Sequence, residues 1–146
     1  MPMRRGIAAV LLASALTTSC GREAAPPQIT CDKLRGLKVG LPIEDARRVL
    51  GSPPEEWRKG QEVRFGEKTF RVSFGDGSDT YWTWDRQASG VRLHLYFLDG
   101  RLTEAHSYIR TMWRDFFDNE SRPTLFSLKT DGTWSEGADF RRIYCP

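Results

Sequence analysis

The chain has 146 residues, 39% of them hydrophobic, which is enough to build the core of one domain. Its formal net charge of +3 falls to +1 once residues 1–19 are set aside, because they hold two basic residues and no acidic ones. A nearly neutral remainder argues against nucleic-acid binding, which needs a concentrated basic surface.

Residues 1–19 have the pattern of an export signal. Two arginines precede an apolar run, residues 7–16, that is too short to cross a bilayer. The end of this segment resembles the signals of bacterial lipoproteins, in which Leu, two small residues and Cys form a box. Here three residues separate Leu16 from Cys20, so the box is stretched by one. The resemblance implies cleavage before Cys20 and lipidation of that residue.

The residue after the cysteine bears on the destination. Gly21 differs from the aspartate that retains such lipoproteins in the inner membrane, so the resemblance implies an outer-membrane lipoprotein that faces the periplasm. The alternative is ordinary cleavage nearby and a soluble periplasmic protein. Residues 20–30 contain a Pro pair and no apolar period, and we expect them to form a tether. Residues 31–146 are predicted to form a single α+β domain.

Two further cysteines, Cys31 and Cys145, lie at the two ends of that domain. In an oxidising exported compartment such a pair is usually a disulfide, and it would clasp the termini. A redox or metal role is disfavoured, because the two residues are far apart in sequence and no histidine lies near either. The cysteine left over after pairing, Cys20, supports the lipid interpretation.

The first predicted element is an amphipathic helix of about nine residues. Pro42 suits the first turn, Glu44 and Asp45 suit the positive end, and Gly51 suits the C-terminal stop. A helix this short needs tertiary packing, so we expect it to lie on a sheet. The apolar side consists of Ile43, Ala46, Val49 and Leu50.

Alternating residues predict strands farther along the chain. The alternation predicts one strand over residues 68–74 and a second over the aromatic run 80–85. It predicts a β-hairpin over residues 91–108. The links between them are too short for parallel crossovers. We therefore predict a four-stranded antiparallel meander over residues 68–108, with short amphipathic helices packed on one face.

The hairpin could turn in two ways. A two-residue Asp99-Gly100 turn would set Glu104 opposite Leu95, on the apolar face, where burial of a carboxylate is costly. A three-residue loop that includes Leu98 would set Glu104 opposite His94 instead. We predict the three-residue loop.

The residues after the hairpin predict one more helix, and the tail that follows is compatible with two kinds of structure. Apolar residues at helical spacing indicate a second amphipathic helix that ends before Pro123. Residues 124–128 and 140–144 lie on either side of a turn at Asp131-Gly132. They fit either edge strands or an ordered loop. The apolar residues of the second helix are Ile109, Met112, Trp113, Phe116 and Phe117.

Two stretches, Gly40 to Pro53 and Tyr96 to Leu102, resemble the SmpA/OmlA group of small outer-membrane lipoproteins. The first reads Gly-Leu-Pro-Ile-Glu-Asp-Ala-Arg-Arg-Val-Leu-Gly-Ser-Pro, with Leu-Pro where the family usually has Met-Thr or Met-Ser. The alignable span is about residues 34–108. The resemblance implies a fold similar to one repeat of the β-lactamase inhibitor protein, and partnership with the barrel-assembly machinery.

The histidines His94 and His106, together with Glu104, could bind a divalent metal or act in acid–base chemistry. A solvated or hydrogen-bonded sheet face is the favoured interpretation, because no further His or Cys completes a site. Asp76, Asp79 and Asp85 lack the spacing of a calcium loop. We therefore predict a non-enzymatic protein with no cofactor and no metal.

The aromatic residues Tyr81, Trp82 and Trp84 are the candidate partner-binding residues. Because strand side chains alternate, Tyr81 and the two tryptophans occupy opposite faces. Core packing is the favoured interpretation for Trp82 and Trp84, and an exposed aromatic patch is the rival.

Together these patterns predict an envelope lipoprotein that binds or scaffolds a partner protein near the outer membrane. The alternative function is a proteinaceous inhibitor of a periplasmic or foreign hydrolase. Its mechanism would insert the acidic loop 75–79 into an enzyme cleft.

Overall fold

The computed structural model describes residues 29–75, 77–85, 90–110 and 123–146. These ranges are mostly β-structure with a few short helices, and none of their helices is long and apolar enough to span a membrane. The helices are α1 (Cys31–Arg35), α2 (Ile43–Leu50) and α3 (Phe140–Tyr144). The strands are β1 (Glu55–Arg58), β2 (Glu62–Phe65), β3 (Lys68–Arg71), β4 (Thr80–Asp85), β5 (Val91–Leu98), β6 (Arg101–Ile109), β7 (Thr124–Leu128) and β8 (Trp134–Glu136).

The main sheet has six antiparallel strands in the order β1-β4-β5-β6-β7-β8, and β2 pairs with β3 in a separate two-stranded sheet. The predicted antiparallel sheet with short helices is therefore present, but the four-stranded meander is wrong. Only β4, β5 and β6 follow one another as predicted.

The error begins with residues 68–74, which were expected to pair with β4. Their first four residues form β3, which pairs with β2 across a two-residue Gly66-Glu67 turn. Gly66 has φ +62°, as glycine readily adopts at the first position of a hairpin turn. This local pairing closes a much shorter loop than pairing with β4 would. The place beside β4 is taken by β1, a charged stretch for which no strand was predicted.

The β5–β6 hairpin also corrects the predicted register. Asp99 and Gly100 form a two-residue turn, with φ of 50° and 73°, so Leu98 pairs with Arg101. A bulge at Thr103 then shifts the ladder, and Glu104 lies opposite Tyr96. The extra residue keeps the carboxylate off the apolar face while the tight turn is retained. The three-residue loop was therefore wrong, although the polar placement of Glu104 was right.

One face of the main sheet packs against all three helices. The central strands contribute Trp82, Leu93, Leu95 and Phe97, each with an exposed fraction of 0%. The helices add Leu34 from α1, Ala46 and Leu50 from α2, and Phe140, Ile143 and Tyr144 from α3 to the same apolar cluster.

Helix α2 ends before Gly51 as predicted, but it begins one residue after Pro42, which was expected in its first turn. Pro42 has extended backbone, and Gly51 has φ +82°. Of the predicted apolar side, Ala46 and Leu50 are buried and Ile43 packs against the core, whereas Val49 is 37% exposed. The guanidinium of Arg47 lies 4.8 Å from the centre of the Trp82 ring, a cation–π contact that joins the helix to the sheet.

The termini of the described domain are joined covalently. A disulfide links Cys31 on α1 to Cys145 just after α3, as predicted, with their Cα atoms 5.3 Å apart. Ile29, assigned to the tether, is buried in the core, so the folded domain begins before Cys31. Residues 124–128 form β7, and residues 140–144 form α3 rather than a strand or loop. Ile109, expected at the start of the second helix, is instead the last residue of β6, and residues 111–122 of that predicted helix lie outside the described residues.

Candidate protein-binding groove

The three candidate partner-binding residues lie on both faces of β4. Trp82 and Trp84 are 0% and 1% exposed and belong to the core, in agreement with the favoured interpretation. Their side chains therefore do not form a surface that a partner could reach. Tyr81 lies on the opposite face and is half-buried.

Tyr81 belongs to a layer of rings on that second face. Its hydroxyl hydrogen-bonds to Nδ1 of His94. The His94 ring stacks on His106 with the ring centres 5.2 Å apart, and Tyr81 stacks on Tyr96 at 4.9 Å. Burial raises the pKa of Tyr81 above its ordinary value of 10.0. The layer is a hydrogen-bonded, half-buried sheet face, as the histidine pattern indicated.

The two histidines and Glu104 do come near one another. Nδ1 of His106 is 3.6 Å from a carboxylate oxygen of Glu104. Within the described ranges, however, no group of three His, Cys, Asp or Glu side chains is arranged to hold a metal ion.

The acidic loop proposed for an inhibitor is tied back to the fold at one end. Asp79 accepts hydrogen bonds from the Thr80 hydroxyl at 3.0 Å and from the Asp99 backbone N–H at 2.9 Å. A carboxylate held in this way is not free to enter an enzyme cleft. Asp76 lies outside the described residues.

A groove of about 300 Å³ opens between the β2–β3 hairpin and the half-buried ring of Trp57 on β1. This is the lower end of the size range of small-molecule pockets. Its lining is mainly aromatic and aliphatic. The lining residues are Trp57, Val63, Phe65, Phe70, Arg71, Val72 and Ser73.

The hairpin that forms one wall of this groove is amphipathic. Val63 pairs with Phe70, and Phe65 pairs with Lys68, so these four side chains share one face of the two-stranded sheet. The other face carries Glu62, Arg64, Thr69 and Arg71. Alternation of this kind is typical of a strand with one buried side.

The apolar face of the hairpin is nevertheless exposed. Phe65 is 69% exposed and Phe70 is 50% exposed. Their rings meet edge to face, with the centres 6.0 Å apart, so they form one continuous patch. Contiguous apolar patches on a soluble domain mark sites of interaction more often than single exposed residues do.

The segment around the groove is basic. Residues 58–71 hold five Lys or Arg and two Glu, a net charge of +3. Arg58 lies 3.3 Å from Glu56, and Arg71 lies 3.7 Å from Glu62. Both pairs are exposed, where such pairs contribute little. In the part of the chain that the structure describes, no ion pair involves Lys59, Arg64 or Lys68.

This groove was not predicted from the sequence. Residues 62–65 alternate, a Gly-containing pair follows, and residues 68–71 alternate again. Two alternating runs separated by two residues with Gly indicate a β-hairpin. That signal was available, but which face would be left uncovered depends on how the hairpin packs.

The chain was compared with protein-family models, curated proteins and solved structures, and none of the three comparisons gave a match. The SmpA/OmlA resemblance therefore stays a prediction that rests on the two short motifs.

Proposed function

We propose that this protein is a non-enzymatic envelope lipoprotein that binds a partner protein through the groove between Trp57 and the β2–β3 hairpin. The observation that carries the proposal is the exposed Phe65–Phe70 pair on an amphipathic hairpin. Exposed aromatic anchors beside a concave surface are typical of protein interfaces.

Energetics support a protein partner for this patch. Complete burial of a Phe side chain contributes about 1.5–3 kcal/mol, and two half-exposed rings leave much of that unrealised. The cations around the groove are exposed, so they would speed association with a partner of opposite charge. The combination of an apolar centre and a charged rim is the ordinary anatomy of an interface.

The predicted cellular location of the protein completes the proposal. Lipidation of Cys20 would hold the domain at the periplasmic face of the outer membrane, within reach of envelope proteins. The SmpA/OmlA resemblance favours a component of the outer-membrane assembly machinery as the partner. Inhibition of a hydrolase by the acidic loop 75–79 receives less support, because the carboxylate of Asp79 accepts two hydrogen bonds from the fold.

The test is photo-cross-linking in cells that express the chain with its own leader. A photoreactive amino acid replaces Phe65, and in a matched control it replaces Thr130, an exposed residue of the β7–β8 connection. We expect an adduct with one envelope protein at position 65 and none at position 130. Mass spectrometry of the adduct identifies the partner, and absence of any specific adduct at position 65 contradicts the proposal.

A further inference from the structure

The β2–β3 hairpin is an incomplete sheet. Among the described strands, neither β2 nor β3 pairs with a third strand. Two-stranded sheets are marginally stable unless a third strand or a packed layer covers their apolar face. Here Trp57 borders the apolar face across the groove, and the rings of Phe65 and Phe70 remain exposed.

The backbone of β3 has hydrogen-bonding groups that point away from β2. The Val72 N–H donates to the Gln61 carbonyl oxygen at 2.8 Å. This bond shows which residues of β3 direct their backbone N–H and C=O groups toward β2. In an antiparallel pair the inward groups recur at every second residue. Phe70 and Lys68 therefore bond toward β2, while the N–H and C=O groups of Thr69 and Arg71 face outward. Unpaired groups of this kind are a template for another strand.

The side chains distinguish the two outer edges of the hairpin. Strand β3 carries Lys68 and Arg71 and no carboxylate, whereas β2 carries both Glu62 and Arg64. An incoming strand that bears carboxylates is therefore better matched by β3. A side chain placed opposite Phe70 would lie on the groove face, and its neighbours would lie on the face of Arg71.

We propose that the groove receives an extended segment of the partner protein, which adds to the outer edge of β3 as a third strand. The segment alternates apolar and acidic residues. Its apolar side chains lie beside Phe70 on the groove face and extend the patch that Phe70 forms with Phe65, and its carboxylates face Arg71. Main-chain hydrogen bonds to Thr69 and Arg71 supply affinity, and the alternation supplies specificity. This inference rests on the proposed partner-binding function, because it names the partner's chemistry at the same groove.

Proline substitutions at the two edges provide a matched test in the full chain. Thr69→Pro removes an outward N–H of β3 without loss of a ladder bond, and Arg64→Pro does the same on β2. We expect Thr69→Pro to reduce the adduct at the photoreactive position 65 by about tenfold or more, a loss of about 1.4 kcal/mol in affinity. Arg64→Pro is expected to retain the adduct. Circular dichroism establishes that both variants fold.

A second readout does not depend on the cellular partner. A synthetic peptide in which valine and glutamate alternate is added to the isotope-labelled full chain, and amide hydrogen exchange is measured by NMR. We expect slower exchange at Thr69 and Arg71, no change at Glu62 and Arg64, and no protection by a peptide in which lysine replaces glutamate. Protection of the β2 amides instead, or equal protection by the lysine peptide, overturns the inference.

The possible failures are distinguishable. Loss of the adduct in every chain, including the unsubstituted one, refutes the proposed function itself. An adduct that survives Thr69→Pro undiminished, or that both prolines reduce equally, leaves the partner-binding function standing and refutes strand addition at β3.

Discussion

The side-chain hydroxyls of Ser107 and Tyr144 lie 2.7 Å apart in the core, and this hydrogen bond joins strand β6 to helix α3. The Ser107 hydroxyl donates to the carbonyl oxygen of Arg92 at 2.6 Å, so Tyr144 is the donor to Ser107. Burial raises the pKa of Tyr144 to about 12.

The raised pKa of Tyr144 predicts alkaline destabilisation. The folded pKa lies above the ordinary value of 10.0, so the stabilisation is complete below pH 10.0 and is lost as pH rises through about 12. Tyr144→Phe should cost about 1 kcal/mol at neutral pH. It should also lose less stability than the unsubstituted chain between about pH 8 and about pH 11 in urea unfolding.

Ser107→Ala is the matched control for that prediction. It leaves the Tyr144 hydroxyl buried without its acceptor, which should cost about 1–3 kcal/mol. Because the phenol remains buried, the alkaline loss should persist in this variant. Equal alkaline losses in Tyr144→Phe and the unsubstituted chain would show that Tyr144 does not control the transition.

The Cys31–Cys145 disulfide closes nearly the whole domain, with a sequence separation of 114 residues. In the chain-entropy model a loop of this size contributes at most about 4.7 kcal/mol. We expect Cys31→Ser with Cys145→Ser to lower the free energy of unfolding by about 3–5 kcal/mol. Cys20→Ser, measured under the same conditions, should leave it unchanged. An unchanged midpoint in the double variant would mean that the clasp adds no stability.

Gly137 follows β8, and its backbone passes very close to β7. A Cβ atom built there would lie 1.9 Å from the carbonyl oxygen of Thr124, and the Gly137 N–H bonds to Leu125 O. Gly137→Ala should therefore destabilise the fold by about 2–3 kcal/mol, as overpacking does. Gly75→Ala has open space around it and should be nearly neutral. Thermal unfolding of the two variants compares these outcomes directly.

The proposed lipid anchor at Cys20 predicts where the protein is found in the cell. The chain with its own leader should take up labelled fatty acid and sediment with outer membranes. Cys20→Ala should take up no label and leave the membrane fraction, because no other lipid attachment is proposed. Unlabelled protein with an intact Cys20 would instead indicate a soluble periplasmic product.

Local sequence patterns predicted individual helices and strands better than they predicted which strands pair. Pro42 and Gly51 fixed the ends of α2, and the alternation of β5 fixed which side chains face the core. The pairing of strands was harder to predict from the sequence, since it depends on which strands compete for the same neighbour. Residues 68–71 pair with β2 because a nearby hairpin turn closes a shorter loop. The bulge at Thr103 was missed although it interrupts the alternation of β6, where Thr103 and Glu104 both lie between the buried Leu102 and Ala105.

The candidate site shows the same limit. The sequence separated Tyr81 from Trp82 and Trp84 by face, and the two tryptophans are in the core as favoured. It did not reveal that Phe65 and Phe70 would stay exposed. Alternation tells which side chains share a face, but exposure depends on whether another element covers that face.

The central claim is that Phe65 and Phe70 serve a partner and not the fold. The most direct measurement uses the double variant Phe65→Ser, Phe70→Ser, which carries no photoreactive residue. Its unfolding free energy is measured together with the amount of the partner, first identified by cross-linking at position 65, that co-purifies with it. We expect a stability loss of only about 1–2 kcal/mol, since both rings are at least half exposed, together with loss of the partner. Phe97→Ser, at a position with no exposure, should cost more than about 3 kcal/mol. Undiminished recovery of the partner, or destabilisation as large as that of Phe97→Ser, would contradict the claim.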